Sequence, residues 1–150
     1  MRDKPSDTVV HAWARLLKAP QVALGQVEAA LKRARLPPLA WYDVLLEVER
    51  VGAAGVRPFE LERAMLLAQY NLSRLLDRIE RAGYIERRAC PQDRRGQVVQ
   101  LTASGKALRR RMWPVYASAI EAAVGRHLSG QDAATLDRVL GDLLDKMERA

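Results

Sequence analysis

The sequence predicts a mainly α-helical domain carrying one small β-hairpin, and three observations predict it. Apolar residues recur at spacings of three and four over most of the chain. Alternation of the strand kind occurs in only two places, residues 84–90 and 97–102. Between them lies Pro91-Gln92-Asp93-Arg94-Arg95-Gly96, rich in turn residues. A basic helix closed by Gly83 comes just before the hairpin. A helix followed by a hairpin with arginines at its tip can fill one DNA groove and reach into the next.

The elements follow in order. Residues 8–35 carry a helical stripe of Trp13, Leu16, Leu17, Leu24, Val27 and Leu31. Pro20 interrupts it, either kinking one helix or starting a second. Leu36-Pro37-Pro38 breaks the chain, and residues 39–51 form the next helix, ended by Gly52-Ala53-Ala54-Gly55. Pro58 suits a first helical position, and a third helix follows over 59–67. A turn around Ala68 leads into a fourth helix over 69–82, with Leu72, Leu75, Leu76 and Ile79 facing inward and Gly83 as its C-terminal cap. The two strands come next, with Asp93-Arg94-Arg95-Gly96 as their turn. Thr102 or Ser104 caps the fifth helix, whose stripe includes Leu108, Met112, Val115, Ala119 and Ile120, with Pro114 placed to bend it. Ser129-Gly130-Gln131-Asp132 resembles a capping box and opens a last helix that is expected to bury Leu136, Val139, Leu140, Leu143, Leu144 and Met147.

The chain of 150 residues is expected to be a single domain, 1–150, with 49% hydrophobic and 29% charged residues. No apolar run approaches a membrane span, and the polar start Met1-Arg2-Asp3-Lys4 has no signal-peptide core. The single cysteine, Cys90, leaves no intramolecular disulfide and fits a reducing cytoplasm. The net charge is +7 and is concentrated: residues 74–111 hold eleven basic and four acidic side chains, the remainder fourteen of each. That is the footprint of a polyanion site. Residues 39–102 can close a small core alone. The terminal helices, 8–35 and 103–150, have more apolar stripe than the rest of the chain can cover, so a second copy is the expected partner.

With these elements in place, the chain resembles the MarR (multiple antibiotic resistance regulator) family of bacterial transcriptional regulators. The resemblance rests on Leu72-Ser73-Arg74-Leu75-Leu76-Asp77-Arg78-Ile79-Glu80, Gly83, Ile85-Glu86-Arg87-Arg88, Asp93-Arg94-Arg95 and Leu101-Thr102-Ala103-Ser104-Gly105. It implies a winged helix-turn-helix flanked by N- and C-terminal dimerisation helices. It also implies a recognition helix in the major groove, a wing in the minor groove, and often a small-molecule pocket between the two regions. Four positions depart from the family pattern: Pro58-Phe59 replaces a Ser or Thr helix start, Glu62 a small residue, Ala68 a capping Ser, and Tyr70-Asn71 smaller residues at the groove-facing end.

On this reading the partner is double-stranded DNA bearing a near-palindromic operator. Gln69, Tyr70, Asn71, Ser73 and Arg74 lie in the first turns of the fourth helix, the part that reaches base edges. Arg78 lies one turn further on and meets the DNA backbone or pairs with neighbouring Asp77 or Glu80. In the wing, Arg95 is the minor-groove candidate with Arg94 beside it, and Asp93 resembles the acid that orients the wing arginine. Strand alternation lets only one of Arg87 and Arg88 face DNA, and Arg88 is assigned to it. Trp13, Trp41 and Tyr42 are candidates to line a pocket for a small aromatic acid, with His11 and Arg63 as polar anchors. The competing reading makes these aromatics core or dimer contacts. There is no Walker loop, no His-Glu-x-x-His and no paired cysteine, so no enzyme class, metal or cofactor is implied. Cys90, beside the basic wing, is a candidate redox-sensitive thiol. The function expected is a sequence-specific transcriptional regulator, a repressor released by an aromatic or phenolic ligand. The alternative is a non-specific DNA-binding or protein-interaction winged helix without an operator.

Overall fold

The computed structural model describes residues 4–69, 71–90 and 93–150, with the side chains of Arg94 and Arg95 outside the described part. The described elements run α1 (Asp7–Arg33), α2 (Leu39–Val51), α3 (Pro58–Ala64), α4 (Leu72–Arg81), β1 (Ile85–Cys90), β2 (Asp93–Leu101), α5 (Ala103–Ala123) and α6 (Gly130–Arg149). This is the mainly helical fold with a two-stranded hairpin that the periodicity predicts. None of the described helices is long and apolar enough to cross a membrane.

The chain divides into two compact units. One spans Glu28–Tyr116; the other takes the chain up to Val27 together with Ala117–Ala150. The first unit is wider than residues 39–102, because its core also takes Leu31 from α1 and Leu108 and Met112 from α5. These pack with Val44, Leu45 and Val48 of α2, Leu61 of α3, Leu76 and Ile79 of α4, and Ile85 and Val99 of the hairpin, all essentially without exposure.

Pro20 lies inside α1 without splitting it. The residue is exposed, and a helix tolerates one missing N–H on a solvated side more readily than in a core. α1 ends with Arg35 in the left-handed region, φ 58. The Leu36 amide bonds back to the Leu31 carbonyl at 2.9 Å and the Arg35 amide to Lys32 at 3.0 Å, the paired bonds of a Schellman turn. Pro38 has no side chain that can cap α2. Glu28 supplies the acceptor instead, its Oε1 receiving the Leu39 amide at 2.7 Å.

Three boundaries differ from the sequence reading by three residues or more. α3 stops at Ala64 rather than 67, because Met65 turns extended (φ −65, ψ 140). α4 starts at Leu72 rather than 69, with Asn71 as its N-cap. β2 starts at Asp93, so Asp93-Arg94-Arg95-Gly96 belongs to the strand and not to the turn. The pairs run from Ile85↔Leu101 to Ala89↔Gln97 and then jump to Cys90↔Asp93. Residues 94–96 are therefore surplus on β2, a bulge opposite Ala89 and Cys90. Residues 91–92 lie outside the described residues.

In the terminal unit, Ser129 caps α6 by accepting from the Asp132 amide at 3.0 Å. The burial expected for α6 is absent in the single chain. No α6 residue is buried, and Leu136, Val139, Leu143, Leu144 and Met147 are 38–55% exposed. Trp13, Leu16 and Leu17 of α1, Ile120 of α5 and Val124 just after it are likewise exposed. The stripes exist as predicted, but one chain lacks the surface to cover them.

Candidate nucleic-acid interface

α4 is built as a two-faced helix. Leu72, Leu75, Leu76 and Ile79 are buried, while Ser73, Arg74, Arg78 and Arg81 are exposed on the remaining arc. Asn71 makes up for the absence of a capping side chain at Ala68. Its Oδ1 accepts from the Arg74 amide at 3.0 Å, an arrangement worth about 1 kcal/mol. Gln69 thus precedes the helix instead of lying in its first turn, and Tyr70 falls outside the described residues. Asn71 still projects at the helix tip, but one of its polar atoms is already engaged. At the other end Gly83 (φ +86) donates to Glu80 at 2.9 Å and Tyr84 to Ile79 at 3.1 Å, closing the helix in a second Schellman turn.

The alternation of β1 separates the two neighbouring arginines. Arg87 turns toward α4, where its Nη2 donates to Asp77 at 2.6 Å and its backbone amide to Glu80 at 3.0 Å. Its buried Nε faces Glu80 at 3.9 Å. Asp77 and Glu80 therefore hold the hairpin to the helix, and Arg78 has no ion pair among the described residues. Arg88 points the other way, exposed, with Glu86 at 2.8 Å.

Arg57, just before α3, reaches the wing. Its Nη2 donates to the Cys90 sulfur at 3.4 Å and lies 3.9 Å from Asp93 Oδ2. The bond to Cys90, with the nearby Asp93 and Glu60 charges, raises the Arg57 pKa above its ordinary value. The sequence offers Arg57 only as a partner for nearby Glu62, because nothing local in Gly55-Val56-Arg57 announces a contact 33 residues away. Cys90 itself is half-buried. The backbone of Arg94 and Arg95 lies on β2.

Between α3 and α4 a cleft of about 450 Å³ is lined by Phe59, Glu62, Gln69, Asn71, Ser73 and Arg87, among others. Phe59 is the chain's only phenylalanine and stands 53% exposed at the start of α3. Glu62 swings out to solvent, which is how the bulky acid is accommodated where the helices approach. Gln69, Asn71 and Ser73 are thus brought to one cleft.

The five candidate pocket residues divide between the two units. His11 and Trp13 are exposed in the terminal unit. Trp41, Tyr42 and Arg63 belong to the other. There Tyr42 is buried, stacked on Trp113 at 6.2 Å and edge-on to Tyr116 at 5.1 Å, while Trp41 meets Tyr84 edge-on at 6.1 Å. Arg109 adjoins Tyr42 and forms an ion pair with Glu49. Burial works against its charge, but hydrogen bonds to Glu49 and Tyr42 outweigh it and raise its pKa. Arg63 is exposed on α3.

Comparison with known proteins agrees with this geometry. A MarR family profile matches residues 36–96. The multiple antibiotic resistance protein MarR of Escherichia coli (strain K12) is 30% identical over 92 residues, a match spanning 61% of this chain and 64% of that protein. An uncharacterised HTH-type transcriptional regulator of Bacillus cereus is 31% identical over 114 residues, 76% of this chain and 72% of the relative. Among solved structures, AbsC, a MarR family transcriptional regulator from Streptomyces coelicolor, matches with a TM-score of 0.81 at 24% identity, over 98% of this chain and 99% of that one. Sco3205, a MarR family regulator from the same organism solved in complex with DNA, matches with a TM-score of 0.84 at 24% identity, over 97% and 92% of the two chains. The structural likeness carries the fold, and the profile with the sequence relatives carries the kinship. The chain belongs to the MarR family of transcriptional regulators.

Proposed function

We propose that the protein is a homodimeric, sequence-specific DNA-binding regulator acting in the cytoplasm as a repressor that a small aromatic or phenolic ligand releases. The observation that carries the DNA reading is the exposed arc of α4. Ser73, Arg74 and Arg78 stand on a helix whose other face is fully buried, so the arc is rigidly presented yet uncovered. Asn71 and Gln69 adjoin its N-terminal end, Arg88 adds a positive charge on β1, and Asp93, Arg94 and Arg95 follow in sequence at the start of β2. Arginine suits guanine or phosphate, and asparagine and glutamine suit adenine. The exposed stripes of the terminal unit support the dimer. Two copies would present two arcs to half-sites about one helical turn apart on a near-palindrome.

The test compares a duplex that the parent protein selects from genomic fragments with a random duplex of equal length and salt. A dedicated regulator prefers the selected duplex by roughly 10³ or more. Equal affinity for the two would leave a non-specific DNA-binding module and end the regulator reading.

The ligand part of the proposal is supported within the Glu28–Tyr116 unit by Trp41 and by the aromatic group of Tyr42, Trp113 and Tyr116, with Arg109 as a polar side chain beside Tyr42. Titration of salicylate-like acids is expected to quench tryptophan fluorescence saturably, with the signal lost in Trp41→Phe. Linkage requires bound operator to weaken that titration by the factor by which the acid weakens DNA binding. Quenching indifferent to operator would leave the aromatics as packing residues.

A further inference from the structure

Asp43 is the one charged residue buried among the described residues, 4% exposed. It lies on α2 between Tyr42 and Val44. Its Oδ2 accepts from the Leu67 backbone amide at 3.0 Å. Leu67 belongs to the non-helical connector between α3 and α4, the segment that delivers the reading helix. Leu66 is 80% exposed, and Ala68 is exposed with no polar side chain to offer. Tyr42, the sequence neighbour of Asp43, packs against Trp113 and Tyr116, and the Tyr116 pKa is raised by its burial and then by the Asp43 charge.

A buried carboxylate is a costly way to hold one amide, and an apolar residue on this face of α2 would pack without that cost. What the carboxylate supplies is direction: an acceptor fixed to the rigid core and aimed at one point of the connector. We propose that Asp43 is a positioning residue for DNA recognition, pinning the α3–α4 connector at Leu67 and so fixing where α4 presents Ser73, Arg74 and Arg78. The proposal rests on the DNA-binding reading above and names a residue that stands behind the reading surface without touching DNA.

Two measurements test it. In the unmodified protein the Leu67 amide is expected to exchange with solvent at least about tenfold more slowly than that of Leu66, the protection a buried hydrogen bond confers. Equal rates overturn the anchor. The second compares Asp43→Asn, which keeps a carbonyl acceptor, with Asp43→Leu, which removes it. The Leu variant is expected to lose roughly tenfold or more of the preference for the selected over the random duplex, while random-duplex binding does not fall, because the phosphate-binding charges are untouched. The Asn variant is expected to stay within about threefold of the parent preference. Both are read where circular dichroism shows parental helix content, since a loss of fold alone would lower both affinities together. A folded Leu variant with the parent's preference overturns the proposal, and so does an Asn variant that loses as much as Leu. If the Leu variant does not fold, the Asn comparison and Leu67 exchange decide. A parent with no preference for any duplex defeats the regulator reading instead, and Leu67 exchange then still decides whether the connector is pinned.

Discussion

Leu143→Arg, in the middle of α6, is expected to abolish tight operator binding, weakening it roughly 100-fold or more toward the non-specific level. The position is far in sequence from the proposed DNA-reading arc, and the expected effect comes through assembly. Leu143 is 38% exposed in the single chain, in a stripe with Leu136, Val139, Leu144 and Met147. If a second copy covers that stripe, an arginine there is an unpaired charge driven into an apolar contact. The protein then populates monomers with one reading helix each, and a near-palindrome needs two at a fixed spacing. Light scattering checks the step directly: the parent should scatter at twice 16.8 kDa and the variant nearer that mass. Leu143→Ile is the matching control, keeping the apolar contact and the dimer. An arginine variant that remains dimeric and binds like the parent would show that this stripe is not the interface.

The second large effect separates base reading from backbone attraction. Arg74→Ala is expected to weaken the selected duplex by about 1–3 kcal/mol and to relax preference at one base pair, with little change on random DNA. Arg95→Ala is expected to weaken both duplexes alike and to flatten the salt dependence by about one contact per protomer, as a wing arginine in the phosphate-lined minor groove would. Asn71→Ala is the less clean probe. It removes the Oδ1 that caps α4, so about 1 kcal/mol of its effect is helix stability before any DNA contact is lost. If Arg74→Ala and Arg95→Ala behave identically across sequences and salt, the division of labour between helix and wing is wrong.

Much of this architecture is legible in the sequence, because local patterns dictate it. The 3.6-residue stripes fix α2 and α5, and Gly83 marks the end of α4 because few other residues accept φ +86. Other features are less legible. Asn71-Leu72-Ser73-Arg74 contains its own capping signal, yet Gln69 and Tyr70 are also compatible with helix, so the start reads three residues early. Asp93-Arg94-Arg95-Gly96 looks like a turn by composition, but the Cys90↔Asp93 pairing places these residues on the strand. The contacts that organise the candidate site are the least legible. Asp43 with Leu67, Arg57 with Cys90, and Arg87 with Asp77 are separated by 24, 33 and 10 residues, and no spacing rule reaches across such gaps. Arg87 and Arg88 show the boundary well. Alternation says that one faces inward, and only the carboxylates of α4 decide which.

Val56, two residues before α3, exchanges both backbone hydrogen bonds with Val99 of the hairpin, at 3.0 and 2.8 Å. Gly55 makes the approach possible, since a Cβ there would stand 2.9 Å from the Val98 side chain and 3.1 Å from the Val99 carbonyl. The root of the hairpin is thereby stitched to the entrance of the helix-turn-helix, and nearer the tip the Arg57 side chain reaches Cys90 and Asp93. A codon inserted among residues 52–57 would shift the seam and disturb the whole frame. A codon inserted at the tip would leave the frame alone. Lineages descending from such a gene can therefore rework the hairpin tip freely, acquiring new preferences for groove width, while inheriting an unchanged chassis that aims the helix.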